Sequence, residues 1–171
     1  MEELYKKTLD RLKAELKKQL PEIEANGDWL WHHPEAGFKE TETQKYCLEV
    51  LKNHGFEACT WPDVTGFTCT YDTGRPGPCV MIMGEMDSLI CYSHPDCNPE
   101  TGAAHACGHS IQVATAMGAF ITLTESGVLE NFGGKVMLAG VPAEECLEIE
   151  WRTREIQKGR LHYLCGKAEL L

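Results

Sequence analysis

Residues 105–109 read HACGH and concentrate side chains that could do chemistry. Cys107 and His109 stand in a C-x-H spacing, which could place a thiolate and an imidazole on one metal cation. Two other interpretations fit the same residues. One is an ordinary turn before a helix that holds a buried thiol, and the other is a reactive cysteine activated at a helix start. The spacing alone does not decide between the three.

Two more polar segments follow apolar runs of strand type. Asp87 comes directly after MIMGEM, and Glu144 and Glu145 follow KVMLAGV and a Pro-Ala turn. Ligand sites in open α/β sheets collect at the carboxyl ends of strands, so we expect these side chains to converge with the HACGH segment. Adjacent glutamates suit a metal ligand beside a general base, although they also mark solvated helix starts. Asp87 suits a carboxylate that orients a ligand, or a helix cap.

The remaining histidines give weaker signals. His32 and His33 suggest a metal pair, but neighbouring side chains on a helix do not face each other, so we predict capping or packing roles. The other three have no partner at a motif spacing and are predicted to lie on the surface: His54, His94 and His162.

The hydrophobic pattern predicts alternating helices and strands. Five leucines mark one face of a first helix, which Pro21 kinks or divides: Leu4, Leu9, Leu12, Leu16 and Leu20. Further helices are predicted at residues 41–55, 111–127 and 148–159, with Thr41 or Thr43 capping the first of these and Gly55 ending it. Strands are predicted at residues 65–74, 79–87 and 133–141, and the apolar start of the second is typical of a buried strand. This order predicts an α/β fold, a three-layer sandwich around a mostly buried mixed sheet.

The size and charge of the chain restrict its class. A chain of 171 residues fits one domain with a sizeable core. The formal net charge of -10 disfavours nucleic acid and anionic membranes as partners. The N-terminal stretch is charged and amphipathic, without the apolar segment of a signal peptide or a membrane span, so we expect a cytoplasmic protein. The nine cysteines form no CxxC pair, which predicts free thiols, most of them in the core.

Four segments, taken in order, resemble the amidohydrolase branch of the M20 metallopeptidase family. LWHHPEAGFKETET is similar to the family's LHxxPExxxxExxT segment, and GEMDSL is similar to its DMDAL strand end. HACGHS is similar to HxCGHD, and GKVMLAGVPAEE is similar to the strand that ends in PAEE. The resemblance covers residues 30–145, and the tail is similar to aminobenzoyl-glutamate-hydrolase-like members. It implies the catalytic domain of a zinc-exopeptidase-like hydrolase.

The resemblance implies a metal centre with named ligands. Cys107 would bridge two divalent ions, and His109 and Glu145 would be further ligands. Zinc, manganese and cobalt all suit a mixed thiolate, imidazole and carboxylate site.

The resemblance also implies a reaction. Glu144 would be the general base, and Asp87 and His105 would support the ligands from behind. The expected reaction is hydrolysis of the amide in small N-acyl or aminobenzoyl amino acids, such as aminobenzoyl-glutamate. A divalent ion pair suits this reaction because it activates water and polarises the amide carbonyl.

The chain departs from the family pattern in two ways. Glu85 and Ser110 stand where the family has Asp, and Gln112 stands where a histidine is common. The family's two later histidine ligands have no match, since His162 is the only histidine after Glu145. We therefore expect residues 1–171 to be the N-terminal portion of an M20-like catalytic domain, lacking the lid and dimerisation domain and the C-terminal part. Such a chain is expected to be poorly active and prone to associate, for instance as a homodimer.

Two other functions compete with the metal-dependent amidohydrolase. The first is a catalytically incompetent fragment that acts, if at all, as an association module. It predicts the same fold without turnover and is favoured by the missing ligands. The second is a thiol or redox protein that uses Cys107, which requires an accessible sulfur and a depressed thiol pKa.

Overall fold

Four strands form a mixed sheet at the centre of the computed structural model, which describes residues 2–170. The strands in chain order are β1 (Ala58–Thr60), β2 (Phe67–Asp72), β3 (Cys79–Glu85), β4 (Leu89–Ile90), β5 (Ala103–Ala104) and β6 (Lys135–Val141). The sheet has the order β1-β2-β6-β3, in which β3 and β6 are parallel and the other pairs antiparallel. β4 and β5 form a separate hairpin. The predicted mixed sheet is therefore confirmed.

Five helices in the described part of the chain complete the predicted α/β fold. They are α1 (Glu2–His32), α2 (Thr41–Asn53), α3 (His109–Glu125), α4 (Ile149–Gln157) and α5 (Gly166–Glu169), with a 3-10 turn at Val128–Asn131. The apolar helix α3 packs on β3 and β6, and α1 runs along α3. A Cβ atom on Gly84 of β3 would stand 2.8 Å from the Cα of Val113, so only glycine allows α3 to approach this closely. Within residues 2–170, no helix combines the length and apolar character needed to cross a membrane.

The first helix turns a different face to the core from the one that its leucines predict. α1 continues through Pro21, and Leu4, Leu16 and Leu20 are exposed. Polar side chains take part of the buried face, because Gln19 donates hydrogen bonds from Nε2 to Glu15 (3.1 Å) and to Glu125 of α3 (2.9 Å). Cross-helix hydrogen bonds of this kind satisfy buried polar groups and allow a polar stripe to face inward.

His54 is not the surface residue that its isolated position predicted. Its side chain is 15% exposed and lies between two carboxylates, with Nδ1 2.5 Å from Glu125 and Nε2 3.0 Å from Glu22. Burial alone would lower the pKa of His54, but the hydrogen bonds and charges of the two glutamates outweigh it and raise the pKa. The imidazole thus ties the end of α2 to both α1 and α3.

His32 and His33 pack as predicted. Each Nδ1–H donates to the carbonyl oxygen four residues earlier, at 2.8 Å for Asp28 and 2.7 Å for Trp29. The ring of His33 also stacks on Trp29 with 3.9 Å between the ring centroids. These contacts engage both imidazoles at the end of α1.

Glu35 caps α2, so the prediction of Thr41 or Thr43 as the cap is wrong. Its carboxylate accepts hydrogen bonds from the backbone N–H groups of Glu42 (3.2 Å) and Thr43 (2.8 Å). A carboxylate here also stabilises the positive end of the helix dipole. The predicted end of the helix is confirmed, since α2 stops just before Gly55, whose φ is +79°.

All nine cysteines are free thiols, as expected, but most are not core residues. Cys47 and Cys69 are buried, whereas the other seven are at least partly exposed. The prediction that most cysteines fill the core is therefore wrong.

The turn after β6 rests on a buried carboxylate. Glu40 is fully buried and accepts hydrogen bonds from the N–H of Ala143 (2.7 Å) and the hydroxyl of Thr65 (2.5 Å). Ala143 has a φ of +51°, which is costly for alanine and needs such support. Desolvation by burial raises the pKa of Glu40 to about 7, despite both hydrogen bonds.

This raised pKa predicts a pH-dependent stability. Because the folded protein binds a proton at Glu40 more tightly than the unfolded chain, whose pKa is 4.5, the contribution of Glu40 to stability is full below 4.5 and declines as pH rises through about 7. Relative to Glu40→Gln, the wild-type free energy of unfolding should fall by about 2–3 kcal/mol from about pH 5 to about pH 8. Urea unfolding at a series of pH values measures this free energy for both proteins. Glu42→Gln, at an exposed position of α2, is the matched control, and parallel profiles for wild type and Glu40→Gln would contradict the assignment.

β3 lies at an edge of the sheet, which explains why the predicted buried run is partly exposed. Within residues 2–170 its only partner in the sheet is β6. Val80 is 57% exposed, Met81 41% and Met83 38%, so apolar side chains flank a row of unpaired backbone groups. An edge of this kind favours pairing with another chain.

We therefore predict that a charge on this edge reduces self-association. Val80→Lys should shift the protein toward the monomer in sedimentation velocity, because the ammonium group resists burial between strands. Thr70→Lys places the same charge on an exposed position of the interior strand β2 and should leave association unchanged. Equal association of wild type and Val80→Lys at every concentration would show that the edge plays no part.

Candidate metal centre

The ends of two parallel strands bring the polar segments together. β3 and β6 are in register up to Glu85 and Val141, and the Met86 N–H donates to the Val141 carbonyl at 2.9 Å. The segments that follow β3 and β6 carry Asp87 and Glu144, so these two residues lie at the same edge of the sheet. The expected convergence at the carboxyl ends of the strands is what the geometry gives.

The HACGH segment reaches this edge through a tight turn. The N–H of Gly108 donates to the carbonyl of His105 at 3.0 Å, and Gly108 has a φ of +83°. Glycine adopts this left-handed conformation without a steric penalty. The turn lets α3 begin at His109, so the first side chain of the helix faces the end of β3.

Asp87 connects the three segments. It is fully buried, and its Oδ1 lies 3.2 Å from Nδ1 of His109, which also donates to the backbone carbonyl of Asp87 at 2.9 Å. Its Oδ2 accepts the backbone N–H of Glu145 at 2.9 Å. Two acceptors on Nδ1 leave Nε2 of His109 as the nitrogen that can bind a ligand. This arrangement is the one in which a carboxylate orients a metal-binding histidine.

Nε2 of His109 faces two glutamates. It lies 3.2 Å from Oε2 of Glu85 and 4.0 Å from Oε2 of Glu144. The possible ligand atoms of these three residues all lie within 4.8 Å of one another, which is close enough to share one cation. The structure thus brings the predicted residues His109 and Glu144 together and adds Glu85.

Sequence reasoning missed Glu85 as a member of the site. The signal was its spacing from Asp87, because residues two apart at a strand end point to the same face. Gln112 also has a role here, since its side-chain oxygen accepts the N–H of Glu85 at 2.7 Å. Two of the three positions that depart from the family's motifs, Glu85 and Gln112, therefore contact each other.

The carboxylates change the acid–base behaviour of His109. The hydrogen bond that His109 donates to the Asp87 carboxylate is the largest influence on its pKa. Burial opposes this effect, the charges of Asp87 and Glu85 add to it, and together they raise the pKa of His109 to about 9. A metal ligand must be the neutral imidazole, so metal binding at Nε2 would release a proton from this residue.

Cys107 is not part of this cluster, although the neighbouring carboxylates influence its thiol. The thiol of Cys107 is exposed, and its hydrogen bond to the Glu145 carboxylate is the main reason that its pKa is raised to about 11. The charges of Glu144 and Asp87 act in the same direction. A thiol or redox function needs a depressed pKa, so the structure gives no support to that alternative. The ligand roles of Cys107 and Glu145 stay predictions.

His105 contributes an imidazole without protein partners. It is 3% exposed, and among residues 2–170 neither ring nitrogen has a hydrogen-bond partner. Burial, together with the charge of His109, lowers the pKa of His105 to about 4, so the ring is neutral. Unpaired buried nitrogens are costly and require a functional explanation. The imidazole and carboxylate groups of His109, Glu85 and Glu144 suit zinc, manganese or cobalt.

Three known proteins show what the chain is similar to. It is 31% identical to N-acetyldiaminopimelate deacetylase of Brevibacillus brevis over 118 residues, which cover 66% of this chain and 30% of the relative. The structure matches that of a protein from methicillin-resistant Staphylococcus aureus, described as an aminohydrolase. The TM-score is 0.65 at 30% identity, over 80% of this chain and 35% of that one. The YXEP protein of Bacillus subtilis, described as a dinuclear metal-binding peptidase from the M20 family, gives a TM-score of 0.59 at 25% identity, over 78% and 37% of the two chains.

These matches concern part of the relatives. The chain spans about a third of the length of the curated relatives it matches. No family model matches the chain. The sequence and structure matches nevertheless agree with each other and with the four motif segments, and we conclude that the chain belongs to the amidohydrolase branch of the M20 metallopeptidase family.

Proposed function

We propose that this chain is the N-terminal portion of the catalytic domain of a metal-dependent amidohydrolase. The observation that carries the proposal is the convergence of Glu85, His109 and Glu144, whose possible ligand atoms lie within 4.8 Å of one another. Asp87 holds His109 in the orientation that a metal ligand needs. The names of the relatives, a deacetylase and an M20 peptidase with two metal ions, support the same chemistry.

The ligands of the proposed centre come from three segments. His109 and Glu85 would bind through Nε2 and a carboxylate oxygen, and Cys107 and Glu145 would provide the thiolate and carboxylate that the motifs predict. Zinc, manganese or cobalt would supply the chemistry by lowering the pKa of bound water and polarising the amide carbonyl. The raised pKa of Cys107 means that metal binding must also displace the thiol proton.

Glu144 is the proposed general base. Its side chain is 36% exposed, so a substrate can reach it, and its Oε2 lies 4.0 Å from Nε2 of His109. From this position the carboxylate can take a proton from water and pass it to the leaving amine. The adjacent Glu145 is held through its backbone by Asp87, which fixes the direction in which the turn presents both glutamates.

The proposed substrates are small N-acyl or aminobenzoyl amino acids, with aminobenzoyl-glutamate as one example. The activity named for the Brevibacillus brevis relative, deacetylation of an N-acetylated amino acid, supports this class. The negative charge of the chain, -10 overall, gives no support to nucleic acid as a substrate.

The first test is metal binding by the purified chain. After chelation, titration with Mn²⁺ or Zn²⁺ in a calorimeter should show binding that His109→Ala weakens by about 10-fold to 100-fold, because the main nitrogen donor is lost. His162→Ala, at the exposed histidine outside the centre, is the matched control. Equal affinity of the two variants for the ion would contradict the proposed centre.

The second test is hydrolysis by the loaded protein. Turnover of N-acetyl amino acids and of aminobenzoyl-glutamate should be slow but metal-dependent, and Glu144→Gln should reduce it by about 100-fold or more through loss of the base. Glu150→Gln, on the exposed side of α4, should leave the rate unchanged. Metal-dependent turnover that Glu144→Gln leaves intact would exclude Glu144 as the base.

A non-catalytic association module is the second candidate. The exposed apolar edge of β3 favours it, together with the exposed Leu16 and Leu20 on α1. It predicts concentration-dependent association and no turnover with any metal. The hydrolysis assay and the Val80→Lys sedimentation experiment therefore separate the two functions.

A further inference from the structure

A lysine from the end of the chain reaches into the carboxylate cluster. Nζ of Lys167 contacts Oε1 of Glu85 and lies 3.6 Å from Oε1 of Glu144. The other oxygen of each glutamate, Oε2, faces His109. The two carboxylates are therefore shared between an ammonium group on one side and an imidazole on the other.

The segment that carries Lys167 is fixed in place by the turn that carries the proposed base. Gly166 donates its N–H to the carbonyl of Ala143 at 3.2 Å, and a Cβ atom on Gly166 would stand 1.9 Å from the carbonyl oxygen of Pro142. The fully buried Arg152 of α4 donates from Nη1 to the carbonyl of Leu164 at 2.7 Å. The close approach of Gly166 to Pro142 admits only glycine at position 166. The backbone therefore directs the neighbouring Lys167 at the cluster.

The side chain of Lys167, in contrast, is free to leave. It is 45% exposed, whereas its partner Glu85 is 12% exposed. Rotation of a long, half-exposed side chain into solvent is fast and leaves the backbone of α5 where it is. Another cation can thus replace Lys167 beside the carboxylates without unfolding of the segment that carries the lysine.

We propose that Lys167 is an internal cation that competes with a divalent metal for the negative charge of Glu85, a proposed ligand, and of the neighbouring Glu144, so that metal uptake displaces its ammonium group. The inference rests on the proposed function, because it assigns a competitor to the same metal centre. Both cations are attracted by the same two carboxylate groups, and the ammonium group beside these carboxylates would be repelled by a metal ion bound there. Lys167 consequently sets how tightly the centre holds its metal.

The direct test is a calorimetric titration with Mn²⁺ alone. Lys167→Met keeps the length and apolar stem of the side chain but removes the charge, and it should bind Mn²⁺ about 10-fold more tightly than wild type. Lys167→Arg keeps a cation at the same place and should stay close to wild type. Lys158→Met is the control, since Lys158 pairs with Glu155 on α4 outside the centre.

A second readout uses the unaltered protein. Acetylation of lysines by an amine-reactive ester, followed by peptide mass spectrometry, should show faster modification of Lys167 when Mn²⁺ is added. Lys135, paired with Asp72 at 2.8 Å away from the cluster, should react at the same rate with and without Mn²⁺.

The outcomes separate this inference from the proposed function. Tighter binding by Lys167→Met, together with faster acetylation of Lys167, supports the competition. Equal affinities of wild type and Lys167→Met, or an unchanged acetylation rate, overturn the competition and leave the metal centre standing. Failure of both proteins to bind Mn²⁺, Zn²⁺ or Co²⁺ overturns the proposed metal centre and the competition together.

Discussion

The buried carboxylate of Asp87 is the constraint on which the candidate centre depends. Burying a carboxylate fully is costly unless both oxygens are paired, and here one meets the imidazole of His109 while the other accepts the backbone N–H of Glu145. Each partner comes from a different segment, so the requirement to satisfy one charge fixes the start of α3 and the turn after β6 relative to β3. The geometry of every proposed ligand follows from that arrangement.

Two further glutamates, Glu35 and Glu40, stabilise the segments next to Asp87 and Glu144. Glu35 caps α2, and its backbone carbonyl accepts the N–H of Ser88 at 2.8 Å, next to Asp87. Five residues later, Glu40 holds the strained Ala143 that precedes the proposed base. The two glutamates of the PExxxxE motif therefore stabilise the segment after β3 and the turn after β6. Neither glutamate belongs to the cluster of possible metal ligands.

Local patterns predicted much of this molecule, and contacts between distant segments account for what they missed. Apolar periodicity predicted α3 and β6, and the residue types after the strands predicted that His109 and Glu144 converge. The buried face of α1 and the position of His54 both depend on Glu125 of α3. Glu125 lies far from both in the sequence, so local patterns do not reveal these contacts. The exposure of β3 depends on sheet order, since an apolar run has the same sequence at an edge as in the interior. The ligand roles of Cys107 and Glu145 stay predictions, because neither residue belongs to the group of possible ligands that the described residues bring together.

Charge balance explains why the centre gathers cations at all. Asp87, Glu85 and Glu144 meet at the ends of two strands, two of them largely withdrawn from water, and like charges at such distances repel strongly. His109 stands among all three carboxylates and Lys167 contacts two of them, one from the start of a helix and the other from the last turn of the chain. Two separate single charges match the charge of one divalent ion. A divalent ion carries both charges, so it can compensate the carboxylates once His109 has lost its proton and Lys167 has moved away.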